Sequence, residues 1–408
     1  LGVLPQTKLW KHLASGGFNE LDRIDGHGAP GPESGYANWL RNAGYQSEDP
    51  WNDYVVSGHS PNGDKVSGWF LRNVHLPSLV SAEHSETAYV TEKALDYLKD
   101  RVGKKWVLHL SYVKPHWPYI APAPYHNQYT ANDIQPVSRN HKELINPHPV
   151  YAAYLNQEES LTFSKQETVD QVRPVYMGLI EQLDSEFGRV LKQLEESGEL
   201  SNTLIIFTSD HGDLGGDHFL GEKDLFYDQV VKVPLMVFDP RPHANSMRGR
   251  AVDELVESID IVPTILDALG MPTSDKPLQG FSLLPFLNRV EAPIKRDFVI
   301  SQIDYSFRKA RLTLNRKANE CSGWMLRNQN WKYIEWQGFR PQLFNLTEDP
   351  EEFSDLGEDP GYAQIRSSLK SELMTWMKGI NSRVTLSDQE VANRTDKAKD
   401  HGIYYGTW

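Results

Sequence analysis

The sequence predicts an α/β fold, a mixed sheet sandwiched by helices, followed by a smaller antiparallel sheet-plus-helix subdomain. Three observations predict it. Helical spacing of apolar residues at 81–100 and 172–196 alternates with short apolar runs of strand length at 106–112, 203–208 and 233–238. The helix at 172–196 leads directly into the run at 203–208, which is half of a crossover unit. Beyond Arg296 the pattern changes to short aromatic runs separated by turns, the signature of an antiparallel sheet. The boundary is therefore drawn at 295, with an α/β domain at 1–295 and an α+β subdomain and tail at 296–408.

Residues 1–75 are rich in Gly, Pro, Asn and Ser and read as loops and short helices. In 81–100 the apolar positions Ala88, Val90, Ala94, Leu95 and Leu98 share a helical face, and Ser85 is placed to cap it. The run 106–112 (WVLHLSY) is continuous enough for a strand covered on both faces in a parallel sheet. KPHWP follows at once, and two prolines around a histidine put His116 on a rigid loop at a strand end. Residues 119–165 read as a long irregular insertion, a lid or an oligomer contact. From Tyr176 to Leu194 the spacing is that of an amphipathic helix, stopped by Gly198. Another helix is predicted at 258–269, with Pro263 in its first turns and Gly270 beyond its end. The aromatic residues Tyr404, Tyr405 and Trp408 close a charged tail that is predicted to dock on a neighbouring subunit of a homo-oligomer.

The chain has 408 residues and a net charge of −13, which disfavours a phosphate-backbone partner and leaves capture of an anion to a local cationic site. No apolar run approaches the ~20 residues of a membrane span. Cys321 is the only cysteine, so an intrachain disulfide is impossible; a reducing, cytoplasmic setting is expected, and the thiol reads as packed. The sequons at Asn345 and Asn393 carry little weight. Glu348, Glu351 and Glu352 read as a solvated turn.

The stretch NTLIIFTSDHGDLGGDHFLGEKDLF carries the chemistry. An apolar run delivers Asp210-His211-Gly212 to a strand end, where open α/β sheets place their ligands. A carboxylate beside an imidazole suits a divalent cation, and Lys223, after a Gly-rich loop, suits an anionic group bound to it. On spacing alone the competing reading is a capping aspartate beside a solvated histidine. His218 favours a structural role. The His116 strand and the strand before Asp210 are of the same type, so both loops converge on one crevice.

These residues resemble a known family. FTSDHGDLGGDHFLGEK is similar to the metal-binding stretch of sulfatases and phosphonate monoester hydrolases in the alkaline phosphatase superfamily. KPHWPYIAPAPYH resembles the Lys/Arg-Pro-His-x-Pro loop of those enzymes and leans toward the phosphonate monoester hydrolases. ESIDIVPTILDALGMP, LQGFSLLPFL and QLFNLTEDPEEFSDL match further family motifs. The resemblance implies an alkaline-phosphatase-like sheet and one divalent metal, Ca²⁺ or Mn²⁺, held by Asp210 and His211. It implies that Lys223 and His116 contact the oxygens of a small anionic ester, a phosphonate monoester, phosphodiester or sulfate. It also implies a formylglycine nucleophile from a Cys-x-Pro/Ala-x-Arg motif, which these 408 residues lack. The expectation is a hydrolase without its first strand, nucleophile and remaining metal ligands, with little or no turnover; a non-catalytic remnant of the fold is the competing reading.

Overall fold

The computed structural model describes residues 18–24, 30–271, 278–288, 296–378, 393–406 and 408. The first helix, α1 (Gly35–Asn42), starts where the Ser34 side chain accepts the Ala37 N–H. A short hairpin follows, β1 (Ser57–His59) and β2 (Lys65–Ser67), which the loop reading of 1–75 did not foresee. Helix α2 (Glu86–Lys99) begins at Ser85, whose hydroxyl oxygen accepts the Ala88 N–H at 3.2 Å, as its sequence predicts.

The strand expected at 106–112 is a correction. The segment is extended but joins no ladder, and its backbone forms no backbone–backbone hydrogen bond among the described residues. Trp106, Leu108 and Leu110 pack against the helical layer while Val107 is exposed. One-sided packing is all that a continuous apolar run required, so the run did not specify a central parallel strand. The insertion at 119–165 is also more ordered than predicted. It contains α3 (Pro149–Leu155) and α4 (Glu158–Phe163), and Val150, Tyr151, Tyr154 and Phe163 are core residues.

The longest helix, α5 (Gln166–Glu196), starts six residues before the predicted stretch and includes Pro174. Gly198, at φ 76°, turns the chain out of it. Strand β3 (Ile205–Thr208) pairs with β4 (Leu235–Phe238), antiparallel and not parallel, with Ile205 opposite Phe238 and Thr208 opposite Leu235. Helix α6 (Ile261–Ala268) follows, closed by Gly270 at φ 64°.

The C-terminal antiparallel sheet is as the turns predict. Strands β5 (Val299–Asp304), β6 (Ser322–Arg327), β7 (Trp331–Trp336) and β8 (Gln342–Asn345) form an antiparallel meander in sequence order. Helix α7 (Ala363–Met377) packs Leu369 and Leu373 on Leu326, Tyr333 and Leu343 of that sheet. The opposite face, through Met325, Ile334 and Trp336, packs on Tyr151 and Tyr154 of α3 and on Leu225 and Phe226. A second core gathers Tyr36, Trp51, Trp69, Tyr89 and Trp117 against Val169, Val172, Val175 and Leu179 of α5. Glu352 is a further correction to the solvated-turn reading. It is 2% exposed, and its carboxylate lies 2.6 Å from the buried Lys332 ammonium. Among the described residues no helix is long and apolar enough to cross a membrane.

Candidate functional site

The His116 loop is folded around an ammonium. Lys114 is buried, and its Nζ donates to the carbonyl oxygens of Pro118 (2.6 Å) and His116 (3.2 Å). Glu86, the first residue of α2, lies 3.9 Å from it and accepts the Trp51 indole N–H at 2.8 Å. Burial lowers the Lys114 pKa, and the Glu86 charge opposes that. Peptides Lys114–Pro115 and Trp117–Pro118 are both cis. Within this frame His116 Nδ1 sits 3.0 Å from the Trp117 carbonyl oxygen, which can only accept. Nδ1 therefore carries the proton, and Nε2 offers its lone pair to Lys223 Nζ at 2.9 Å. The structure thus brings together two of the residues singled out in the sequence.

Lys223 is held by its surroundings rather than by regular structure. Arg173 of α5 reaches into the Gly-rich loop, donating to the carbonyls of Gly215 (2.8 Å) and Leu214 (3.1 Å) and to Asp217 (2.6 Å). Four non-glycine residues around Lys223 have left-handed backbones: His218, Phe219, Glu222 and Leu225, with φ of 52°, 60°, 69° and 70°. Such conformations persist only where neighbours over-determine them, and they cluster at ligand sites. The neighbours are evident here. Glu222 and Asp224, on either side of Lys223, both ion-pair with Arg308, at 3.2 and 2.5 Å. His218 has the structural role that was favoured: it is buried, bonded to Glu143 at 2.6 Å and stacked on Tyr227.

Asp213 completes the wall. Its carboxylate accepts the Tyr119 hydroxyl and the Gly215 N–H. Burial pushes its pKa up to about 7; Tyr119 and Lys223 pull it down, while Glu222 adds to the rise.

Asp210 and His211 lie just past the end of β3. His211 Nδ1 is 2.8 Å from the Gly212 carbonyl oxygen, so it donates there and leaves Nε2 as a ligand-ready lone pair, 3.5 Å from Asp210 Oδ2. A carboxylate oxygen and an imidazole nitrogen at that separation are chemically suited to share one divalent cation. Gly212 is required at this turn, because a Cβ there would overlap the Gln229 carbonyl. Among the described residues no group of three or more His, Cys, Asp or Glu side chains is arranged to hold a metal.

Sequence reasoning missed Lys114, Arg173, Asp213 and Arg308. Lys114 was visible only as the first letter of the KPHWP loop, and Asp213 as the second aspartate of DHGD. Arg173 and Arg308 carried no local signal.

The sulfatase family profile matches residues 11–271, and the N-sulphoglucosamine sulphohydrolase C-terminal profile matches 216–379. The chain is 32% identical over 358 residues to the multifunctional alkaline phosphatase superfamily protein PehA of Trinickia caryophylli, covering 84% of this chain and 68% of that protein. It is 27% identical over 305 residues to an arylsulfatase of Clostridium perfringens, covering 72% of this chain but only 58% of the relative. Among solved structures, the phosphonate monoester hydrolase SpPMH from Silicibacter pomeroyi superposes with a TM-score of 0.77 at 26% identity, over 93% of this chain and 75% of that one. The α/β fold with its C-terminal antiparallel sheet is common to both, and the chain belongs to the sulfatase family.

Proposed function

We propose that this chain forms the anion- and metal-binding part of a hydrolase of phosphonate monoesters or phosphodiesters. The observation that carries the reading is the contact between Lys223 Nζ and His116 Nε2 at 2.9 Å, built by two separate loops. The likeness to SpPMH, a phosphonate monoester hydrolase, supports the choice of ester. Asp210 and His211 would hold the divalent cation, Ca²⁺ or Mn²⁺, which supplies charge neutralisation to the ester when bound.

The protein's own residues do the rest. The Lys223 ammonium pairs with a non-bridging oxygen of the anionic ester, and Glu222 and Asp224, engaged by Arg308, keep it from collapsing onto a neighbouring carboxylate. His116, its Nδ1 proton fixed on the Trp117 carbonyl, turns Nε2 toward the Lys223 ammonium, so that a proton passed from Nζ to Nε2 becomes the one given to the leaving-group oxygen. The only cysteine, Cys321, is buried and its thiol is pushed up to about 11 by burial, so it is no nucleophile.

Titration calorimetry with phenylphosphonate in the presence of Mn²⁺ tests the reading. Lys223→Ala is expected to weaken binding about tenfold or more, the value of a charge-assisted hydrogen bond. Undiminished affinity would remove Lys223 from the site. Asp210→Ala and His211→Ala should each lower the affinity for Mn²⁺ itself. Hydrolysis assays with a nitrophenyl phosphonate monoester and a nitrophenyl sulfate then separate this reading from a second one, a sulfatase, which the arylsulfatase likeness favours. Preferential turnover of the sulfate would promote the second.

A further inference from the structure

The C-terminal tail lies on its own chain, and it touches both halves of the Lys223–His116 pair at one remove. At its start, the Thr395 hydroxyl donates to the Ser306 carbonyl at 3.0 Å and the Asp396 N–H to the Phe307 carbonyl at 3.4 Å. Residue 308 is the arginine that holds Glu222 and Asp224 beside Lys223. Lys399 then pairs with Glu158 of α4. At its end, Tyr404 stacks on Phe70 with ring centres 5.8 Å apart, and Arg72 donates to the Trp408 carbonyl. Between these anchors the Tyr405 ring meets Trp117 edge-on at 6.2 Å, and Trp117 follows His116 in the chain.

Trp117 is 1% exposed and also meets Phe163 edge-on, so Tyr405 supplies one wall of the box that immobilises it. Trp117 in turn provides the carbonyl that fixes the His116 ring. Gly406, at φ 62°, is seated so closely on α4 that a Cβ would overlap the Glu159 backbone, so the strap tolerates no side chain there.

We propose that residues 395–406 and Trp408 are an intramolecular strap that fixes the relative placement of His116 and Lys223, with Tyr405 as a positioning residue for the His116 ring. The inference rests on the reading of that pair as the anion site, but its test does not depend on turnover. Three variants serve: Tyr405→Ala removes the wall, Gly406→Ala lifts the strap, and Tyr405→Phe keeps the ring and drops only the hydroxyl. Protein labelled with ¹⁵N-histidine reports on His116 Nε2, with Lys223→Ala marking the resonance position of the broken contact.

The expected result is that Tyr405→Ala and Gly406→Ala move the His116 signal toward the Lys223→Ala position. Amide exchange across 113–119 should accelerate about tenfold, the scale of losing an aromatic contact from a locally opening unit. Exchange in β6 and β7 should be unchanged, and Tyr405→Phe should match the parent. A parent-like His116 signal in both alanine and strap variants overturns the proposal, as does a Tyr405→Phe spectrum that matches Tyr405→Ala. If Lys223→Ala itself leaves the His116 signal unmoved, the contact underlying the proposed function is what fails.

Discussion

Glu159 lies under the tail, 8% exposed, with its carboxyl pushed up to about 7 by burial while Arg308 pulls it down. The folded state therefore binds this proton more tightly than the unfolded chain, whose glutamate titrates near 4.5. Its stabilising contribution is fully present below about 4.5 and is lost as pH rises through about 7. Glu159→Gln is expected to remove that slope, a difference of about 3 kcal/mol between the two ends of the window. Urea unfolding of parent and variant at several pH values measures it, and parallel curves would contradict the assignment. The same scale shows what sequence could reveal of the site. His116, Lys223, Asp210 and His211 stood out because their chemistry is written in short motifs. Arg308 and Arg173 act across the fold on backbone and on other residues' carboxylates, and nothing in their immediate sequence distinguishes them from surface arginines.

Among the elements, α5 organises the layer on which the site is built. Its Gly178 faces the turn at Tyr125–Asn127, and a Cβ there would overlap the Tyr125 carbonyl oxygen. Gly178→Ala, a favourable change for an isolated helix, is expected here to destabilise by about 1–3 kcal/mol through forced separation. A thermal melt at the parent's midpoint checks the sign; a stabilised variant would mean that the turn can move aside. Helices α2, α5 and α6 and the C-terminal meander were legible because amphipathic spacing, Ser85, Gly198 and Gly270 are local signals. The direction of β3 against β4 was not, since pairing direction is decided by residues distant in sequence. Residues 106–112 illustrate the same limit: an apolar run declares that it will be packed, not what it will be hydrogen-bonded to.

For the molecule as a whole, Lys332 joins the C-terminal sheet to the α/β part. It is fully buried on β7, yet its Nζ donates to the Phe226 carbonyl and to Asp228, each at 2.7 Å, and pairs with Glu352. Lys332→Met leaves two carboxylates facing each other and is expected to cost about 3–5 kcal/mol, with part recovered by adding Glu352→Gln. Denaturant titration of the single and double variants tests this, and a near-neutral single variant would show that the carboxylates find other partners. The division at 295 was drawn on a change in sequence pattern, which did not reveal that Phe226 and the sheet share one core. Burial of that ammonium also makes Lys332 a chemical clock. An amine-reactive reagent will spare it in the native protein and modify it only when the sheet lifts away, so its rate of mass gain times the opening of this interface.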